Sequence, residues 1–290
     1  MTHDFKQLTD HLWVGQSEIF ATNHGIFISE GHACLIDPGV LPDEIEAIAA
    51  FVQAQGAEAR TIILTHSHWD HIFGPEHFPE AKVVAHEQYL ASVAGEHGDE
   101  LRERVATWEA KQGIERAGDF VIPEPDMVFE GTMMLTVGDL RLCLTHAPGH
   151  APDQLVIYQP ESRVLWAADM LSDIELPMAL HSFTAYEQTL RRLAELEVRA
   201  LIPGHGVAAT DEAEIRRRFE GDIAYLAEIR TRVEEALQAG KDAEATIALC
   251  HEMQYPHREE NRGVHELNVG SAYIELGGAA DASEVGWGQV

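Results

Sequence analysis

The sequence predicts an α/β fold, and three observations predict it. Short β-rich runs alternate with amphipathic helical stretches in the order strand, helix, strand. The order of elements in the first half recurs in the second. Two apolar strands, one in each half, end in an aspartate: ACLIDPG near the start and VLWAADM in the middle.

The elements follow in order. HLWVG, GIFIS and ACLIDPG are β-rich runs set apart by turn residues, and Pro38 and Gly39 stop the third. A helix then begins near Pro42 and Asp43, with Asp43 as cap, Glu46 three residues on, and an apolar stripe of Ile45, Ile48 and Val52. TIILT (61–65) reads as a buried strand and AKVVA (81–85) as another. Residues 86–120 are charged and helical, with Leu101, Val105 and Trp108 spaced by four and three. They are expected to form a helical insertion whose apolar face packs on the core.

Strands MLTVG, LRLCLTH, LVIYQ and RVLWAAD come next. A helix follows, its start marked by Thr184 and Glu187 in capping-box spacing, and then the strand ALIPG. From Asp211 the residues Ile215, Phe219, Ile223, Leu226, Val233 and Leu237 mark one face of a long helix. Further helices are expected over 242–253 and 264–276, and the Gly- and Ala-rich tail after Leu276 is expected to be mobile. The division is therefore a core over 1–210, with an insertion around 86–120, and a C-terminal helical part over 211–290. That part packs on the core or forms a subunit contact, so a homodimer is one expectation.

Composition narrows the function classes. The 290 residues carry 49 Asp plus Glu against 20 Lys plus Arg, a formal net charge of −29. Nucleic-acid binding needs Lys and Arg to neutralise phosphates, so no nucleic-acid partner is expected, nor an anionic membrane surface. No window approaches the roughly 18 apolar residues of a membrane span, and the N-terminal MTHDFKQLTDHLW lacks the basic and apolar regions of a secretory signal. Cys34, Cys143 and Cys250 lie in apolar contexts, which fits buried free thiols in a reducing compartment. A cytoplasmic protein acting on a small molecule is the expectation.

The chemistry concentrates in His66-Ser67-His68-Trp69-Asp70-His71, directly after a buried strand. In extended chain His66 and His68 point to one side. When the chain turns, Asp70 and His71 swing to face a second position. Three imidazoles and a carboxylate in six residues suit zinc or, less often, iron or manganese. Further donors stand at other strand ends: His150 in HAPGHAPDQ, Asp169 after VLWAA, and His205 between Gly204 and Gly206. Loops beyond the carboxyl ends of strands are where sites assemble in α/β layers.

This set, H-x-H-x-D-H, then APGHAPDQ, then the Asp of LWAADM, then the His of IPGHG, resembles the metallo-β-lactamase-fold hydrolase superfamily over residues 12 to about 210. The resemblance implies a four-layer αββα sandwich with metals in the cleft between sheet edges. It implies that His66, His68 and His150 hold one metal, that Asp70, His71 and His205 hold a second, and that Asp169 bridges the two. Two zinc ions are the implied cofactors, with iron or manganese as alternatives. Two divalent ions against two carboxylates and one hydroxide leave about +1, and a water bridging them is acidified towards neutral pH. Asp70 is the candidate to orient that nucleophile and shuttle its proton. Asp37 in LIDPG is a candidate to support the metal histidines, with a turn-forming Asp before Pro as the other reading. His181 is a candidate pocket residue. The other histidines, His86, His97 and His146 among them, read as surface or hydrogen-bonded.

Several activities share such a site. β-Lactamases of the superfamily generally lack an Asp at the position of Asp169, the nuclease branches need a basic track, and flavodiiron relatives typically carry Glu where His68 stands. The pattern after His205 departs from that of true glyoxalase II. The expected function is a dinuclear zinc-dependent hydrolase of small esters, lactones or thioesters. The alternatives are a small-substrate phosphodiester or phosphotriester hydrolase and a mononuclear-iron persulfide dioxygenase, with a β-lactamase ranked below them.

Overall fold

The structure, a computed structural model, describes residues 4–279. Among these residues the strands form two sheets. The first contains, in chain order, β1 (Lys6–Gln7), β2 (Leu12–Gln16), β3 (Asn23–Ser29), β4 (His32–Ile36), β5 (Glu58–Ile63), β6 (Lys82–His86) and β7 (Met127–Phe129). β1 to β4 pair antiparallel and β4 to β7 parallel. α1 (Pro42–Ala54) makes the crossover from β4 to β5, and α2 (Tyr89–Ser92) and α3 (Gly95–Gln112) lie between β6 and β7.

The second sheet contains β8 (Thr132–Val137), β9 (Leu140–His146), β10 (Leu155–Gln159) and β11 (Val164–Trp166), paired antiparallel in chain order. β12 (Ala200–Ile202) joins β11 in parallel after the crossover helix α4 (Phe183–Leu193). Each half is thus an antiparallel meander closed by a strand, helix, parallel-strand unit, which is the repetition the sequence suggests. α5 (Glu212–Gln238), α6 (Ala243–Cys250) and α7 (Arg262–Glu275) complete the described chain.

Alternation along the strands builds four layers. Cys34 and Ile36 of β4 point into a core shared with Leu142 and Leu144 of β9 and Trp166 of β11, between the sheets. Ala33 and Leu35 point the other way, against Ile45, Ile48 and Val52 of α1. On the far side Val156, Leu165 and Leu201 pack against α4, α5, α6 and α7. Strands covered on both faces read as continuous apolar runs, which is why TIIL and VLWAA show no polar alternation. The result is the αββα sandwich.

Two caps differ from expectation. Pro42 occupies the first turn of α1, and it is Glu44, not Asp43 with Glu46, whose carboxylate accepts from the Val40 and Leu41 amides at 3.0 Å. Ser182, not Thr184, caps α4 by accepting from the Ala185 amide at 3.1 Å. That leaves Glu187 to pair with Arg230 of α5 at 2.5 Å. β1 and β7 are two and three residues long, too short for periodicity to register. Cys34 and Cys250 are buried and Cys143 half-buried, all as free thiols. Among the described residues no helix is long and apolar enough to cross a membrane. The tail from residue 280 onward lies outside the described residues.

Candidate metal centre

Every donor singled out from the sequence stands just beyond the carboxyl end of a strand. His66 and His68 follow β5 in extended chain, and a single 3₁₀ turn, Trp69–His71, then swings Asp70 and His71 inward. His150 follows β9, Asp169 follows β11 and His205 follows β12. Backbone hydrogen bonds join the two sheets at this end: Leu155 N to Thr65 O at 2.8 Å, Asn23 N to Gly204 O at 2.6 Å, and Gly206 N to Ala21 O at 3.0 Å.

The donors converge into two adjoining sets. His66, His68, His150 and Asp169 each offer an atom within 4.8 Å of the others, and so do Asp70, His71 and His205. The Asp169 carboxylate lies between the sets. Its Oδ2 is 3.5 Å from His66 Nε2, 3.1 Å from His150 Nε2 and 3.3 Å from His205 Nε2, and its Oδ1 is 3.3 Å from His71 Nε2.

The rings are oriented from behind. His71 Nδ1 donates to Asp37 Oδ2 at 2.9 Å, and His150 Nδ1 donates to the Met178 carbonyl at 2.9 Å. His205 Nδ1 donates to the Phe20 carbonyl at 3.1 Å. These partners leave the Nε2 atoms facing the centre, the tautomer that metal-binding imidazoles take. Asp37 is buried and also accepts from the Thr65 amide and hydroxyl at 2.8 and 2.6 Å. It is therefore tied to the histidine loop beyond its role as a turn residue. His181 lies in the cleft wall, outside both sets.

The cluster demands positive charge. Among the described residues, His66 Nε2 and Asp169 Oδ1 are buried with no hydrogen-bond partner, a costly state for a dry site. Burial alone would lift the Asp169 carboxyl, yet the surrounding imidazoles of His71, His205, His66 and His150 hold it well below the usual carboxylate range. Burial pulls His205 down, but Asp169 and Asp70 reverse this and raise it to about 10. His68, where burial and the neighbouring His150 act together, falls to about 3. Five imidazoles and two carboxylates are nitrogen and oxygen donors of the type that hold zinc, iron or manganese, so the residues fit a pair of divalent cations.

Several neighbours had no sequence signal of their own. Trp69, inside the histidine motif, carries Trp108 of α3 at 4.5 Å between ring centroids and Phe20 at 5.8 Å. Arg104 of α3 and Glu175 also border the cleft. Arg116 lies 3.9 Å over the Phe73 ring and donates to the Val40 carbonyl at 2.6 Å, which fastens the segment after α3 to the core. His97 lines the cleft as well, although the sequence marked it as ordinary. His86 and His146 stack at 3.7 Å away from the centre.

Comparison with known proteins adds the lineage. The profile of the metallo-beta-lactamase superfamily matches residues 20–205. The acyl-coenzyme A thioesterase MBLAC2 of Gallus gallus is 28% identical over 188 residues, 59% of this chain and 67% of that protein. The linear primary-alkylsulfatase of Pseudomonas sp. (strain ATCC 19151) is 24% identical over 231 residues, 66% of this chain but 43% of that protein. Among solved structures, the stereoselective inverting sec-alkylsulfatase Pisa1 from Pseudomonas sp. matches with a TM-score of 0.72 at 16% identity. The match covers 99% of this chain and 52% of that one. The profile spans more than half of the sequence and ends at His205, the last donor of the centre, and on that ground the chain belongs to the metallo-beta-lactamase superfamily.

Proposed function

We propose that this protein is a dinuclear, zinc-dependent hydrolase of small esters, lactones or thioesters. In this reading His66, His68 and His150 hold one cation, Asp70, His71 and His205 hold the other, and Asp169 faces both. The observation that carries the reading is the Asp169 carboxylate, in contact range of imidazoles from both sets. When bound, such cations supply Lewis acidity and lower the pKa of a water at the centre.

The chain's own residues do the rest. Thr22 Oγ1, which donates to the Ile19 carbonyl at 2.9 Å, lies 3.4 Å from Asp70 Oδ2. Asp70 accepts a proton from the attacking water and delivers it to the leaving oxygen or sulfur. The water oxygen bonds to the carbonyl carbon, the carbon–oxygen or carbon–sulfur bond breaks, and a carboxylic acid and an alcohol or thiol result. The thioesterase among the relatives supports this substrate class. The alkylsulfatase relative favours sulfate esters as a second reading, since the same centre would face a sulfuryl oxygen in place of a carbonyl.

Elemental analysis joined to a panel of esters, lactones, thioesters and alkyl sulfates tests both readings. Two divalent metals per chain and turnover of the carbonyl substrates are expected. Asp169→Ala is expected to lose metal while keeping its circular-dichroism spectrum. Unchanged stoichiometry in that variant overturns the shared role of Asp169, and one iron per chain with oxygen consumption overturns the hydrolase.

A further inference from the structure

The cleft above the centre has two lobes that share His68, His150, Leu101, Arg104 and Leu180. They differ in chemistry. One, of about 550 Å³, is walled by Phe20, Trp69, Trp108 and Met178 and reaches Asp70, Asp169 and His205. The other, of about 500 Å³, is bordered by Ser67, Ser92, His97, Glu100 and His181, and of the donors of the centre it touches only His68 and His150. α3 roofs both lobes, with Leu101 and Arg104 one turn apart at their boundary.

Resting on the hydrolase reading, we propose that the substrate is amphiphilic: a straight apolar acyl chain seated in the aromatic lobe, joined to a polar alcohol or thiol that departs through the lobe of Ser92, His97 and His181. Two arguments set the direction. The scissile carbonyl carbon must sit where both donor sets are in reach, and of the two lobes only the aromatic one borders both, so that carbon is seated in it and an apolar acyl arm meets Phe20, Trp69 and Trp108. Negative charge develops on the leaving atom as its bond breaks, and a polar departing group is solvated by the hydroxyls of Ser67 and Ser92 and the imidazoles of His97 and His181, which border only the polar lobe.

The test uses metal-replete full-length protein and two series of substrates. One is straight-chain acyl thioesters of N-acetylcysteamine from acetyl upward. The other is acetate esters of straight-chain alcohols, which carry the same carbons on the leaving side. In the acyl series kcat/KM is expected to rise roughly fourfold per methylene until the lobe is filled, and in the acetate series to stay nearly flat. Trp108→Ala and Phe20→Ser are expected to flatten the acyl series. Phe20 is 56% exposed, so its replacement leaves the fold intact even if Trp108→Ala does not fold. A flat acyl series, an equal rise in the acetate series, or a full slope retained in Phe20→Ser overturns the lobe assignment while the hydrolase stands. No turnover of either series overturns both.

Discussion

At the scale of single residues, the centre is held together by close fits as much as by donors. Gly204 lies against the carboxylate of Asp169, and a Cβ there would overlap Asp169 Oδ1. The sequence presents Gly204 only as a turn residue before His205, because a turn glycine and a clearance glycine read alike. Gly204→Ala is expected to displace Asp169 and weaken metal binding by about 10- to 100-fold, as loss of supporting contacts does elsewhere. Gly221 in α5 is the control, since a Cβ added there meets nothing within 4 Å. Gly221→Ala is expected to keep metal binding and gain up to about 1 kcal/mol of stability. Metal titration and thermal melts of the two variants check this, and equal metal affinity in both contradicts the clearance argument.

At the scale of elements, the helices after the strands reach back into the centre. Asn268 of α7, fully buried, donates to the Pro177 carbonyl at 2.5 Å and accepts from the Ala179 amide at 3.0 Å. Between these two residues lies Met178, whose carbonyl orients His150. Glu275, at the end of the same helix, accepts from the Phe183 and Thr184 amides at 2.7 and 2.9 Å, tying the start of α4, where that loop ends, to α7. A helix over 264–276 was expected from the sequence. Its grip on the 176–180 loop was not, because a polar residue on a buried face names no partner in sequence. Asn268→Leu is expected to destabilise the protein by about 1–3 kcal/mol, the cost of buried groups left unpaired. It is also expected to lower metal affinity. Thermal melting with a cobalt titration separates the two effects, and destabilisation without any change in the cobalt spectrum would confine Asn268 to the fold.

At the scale of the whole molecule, the donors come from both sheets. His66, His68, Asp70 and His71 belong to the first, and His150, Asp169 and His205 to the second. Cations held in common would therefore tie the two halves together, and their removal would leave carboxylates and imidazoles packed without counter-charge in a chain already at −29. Chelation is expected to lower the melting temperature. A cation in 100-fold excess over its Kd contributes about 2.7 kcal/mol of stability by mass action. Differential scanning calorimetry with and without a chelator, followed by zinc addition, measures it, and an unmoved transition argues that the centre couples nothing.

The sequence by itself determined the α/β class, the core strands and the H-x-H-x-D-H cluster, because each is written in local spacing, while strand ends and the family resemblance pointed to His150, Asp169 and His205 as further donors. Period two marks strands, period three to four marks helices, and H-x-H-x-D-H crowds donors within one turn of chain. Only the tertiary structure decided that Asp169 meets imidazoles of both sets, that Asp37 and Met178 turn the rings, and that α3 divides the cleft into an aromatic and a polar lobe. Those facts rest on contacts between residues tens to more than a hundred positions apart. Such pairs are selected by which surfaces the packed layers bring together, and no local period of the chain records them.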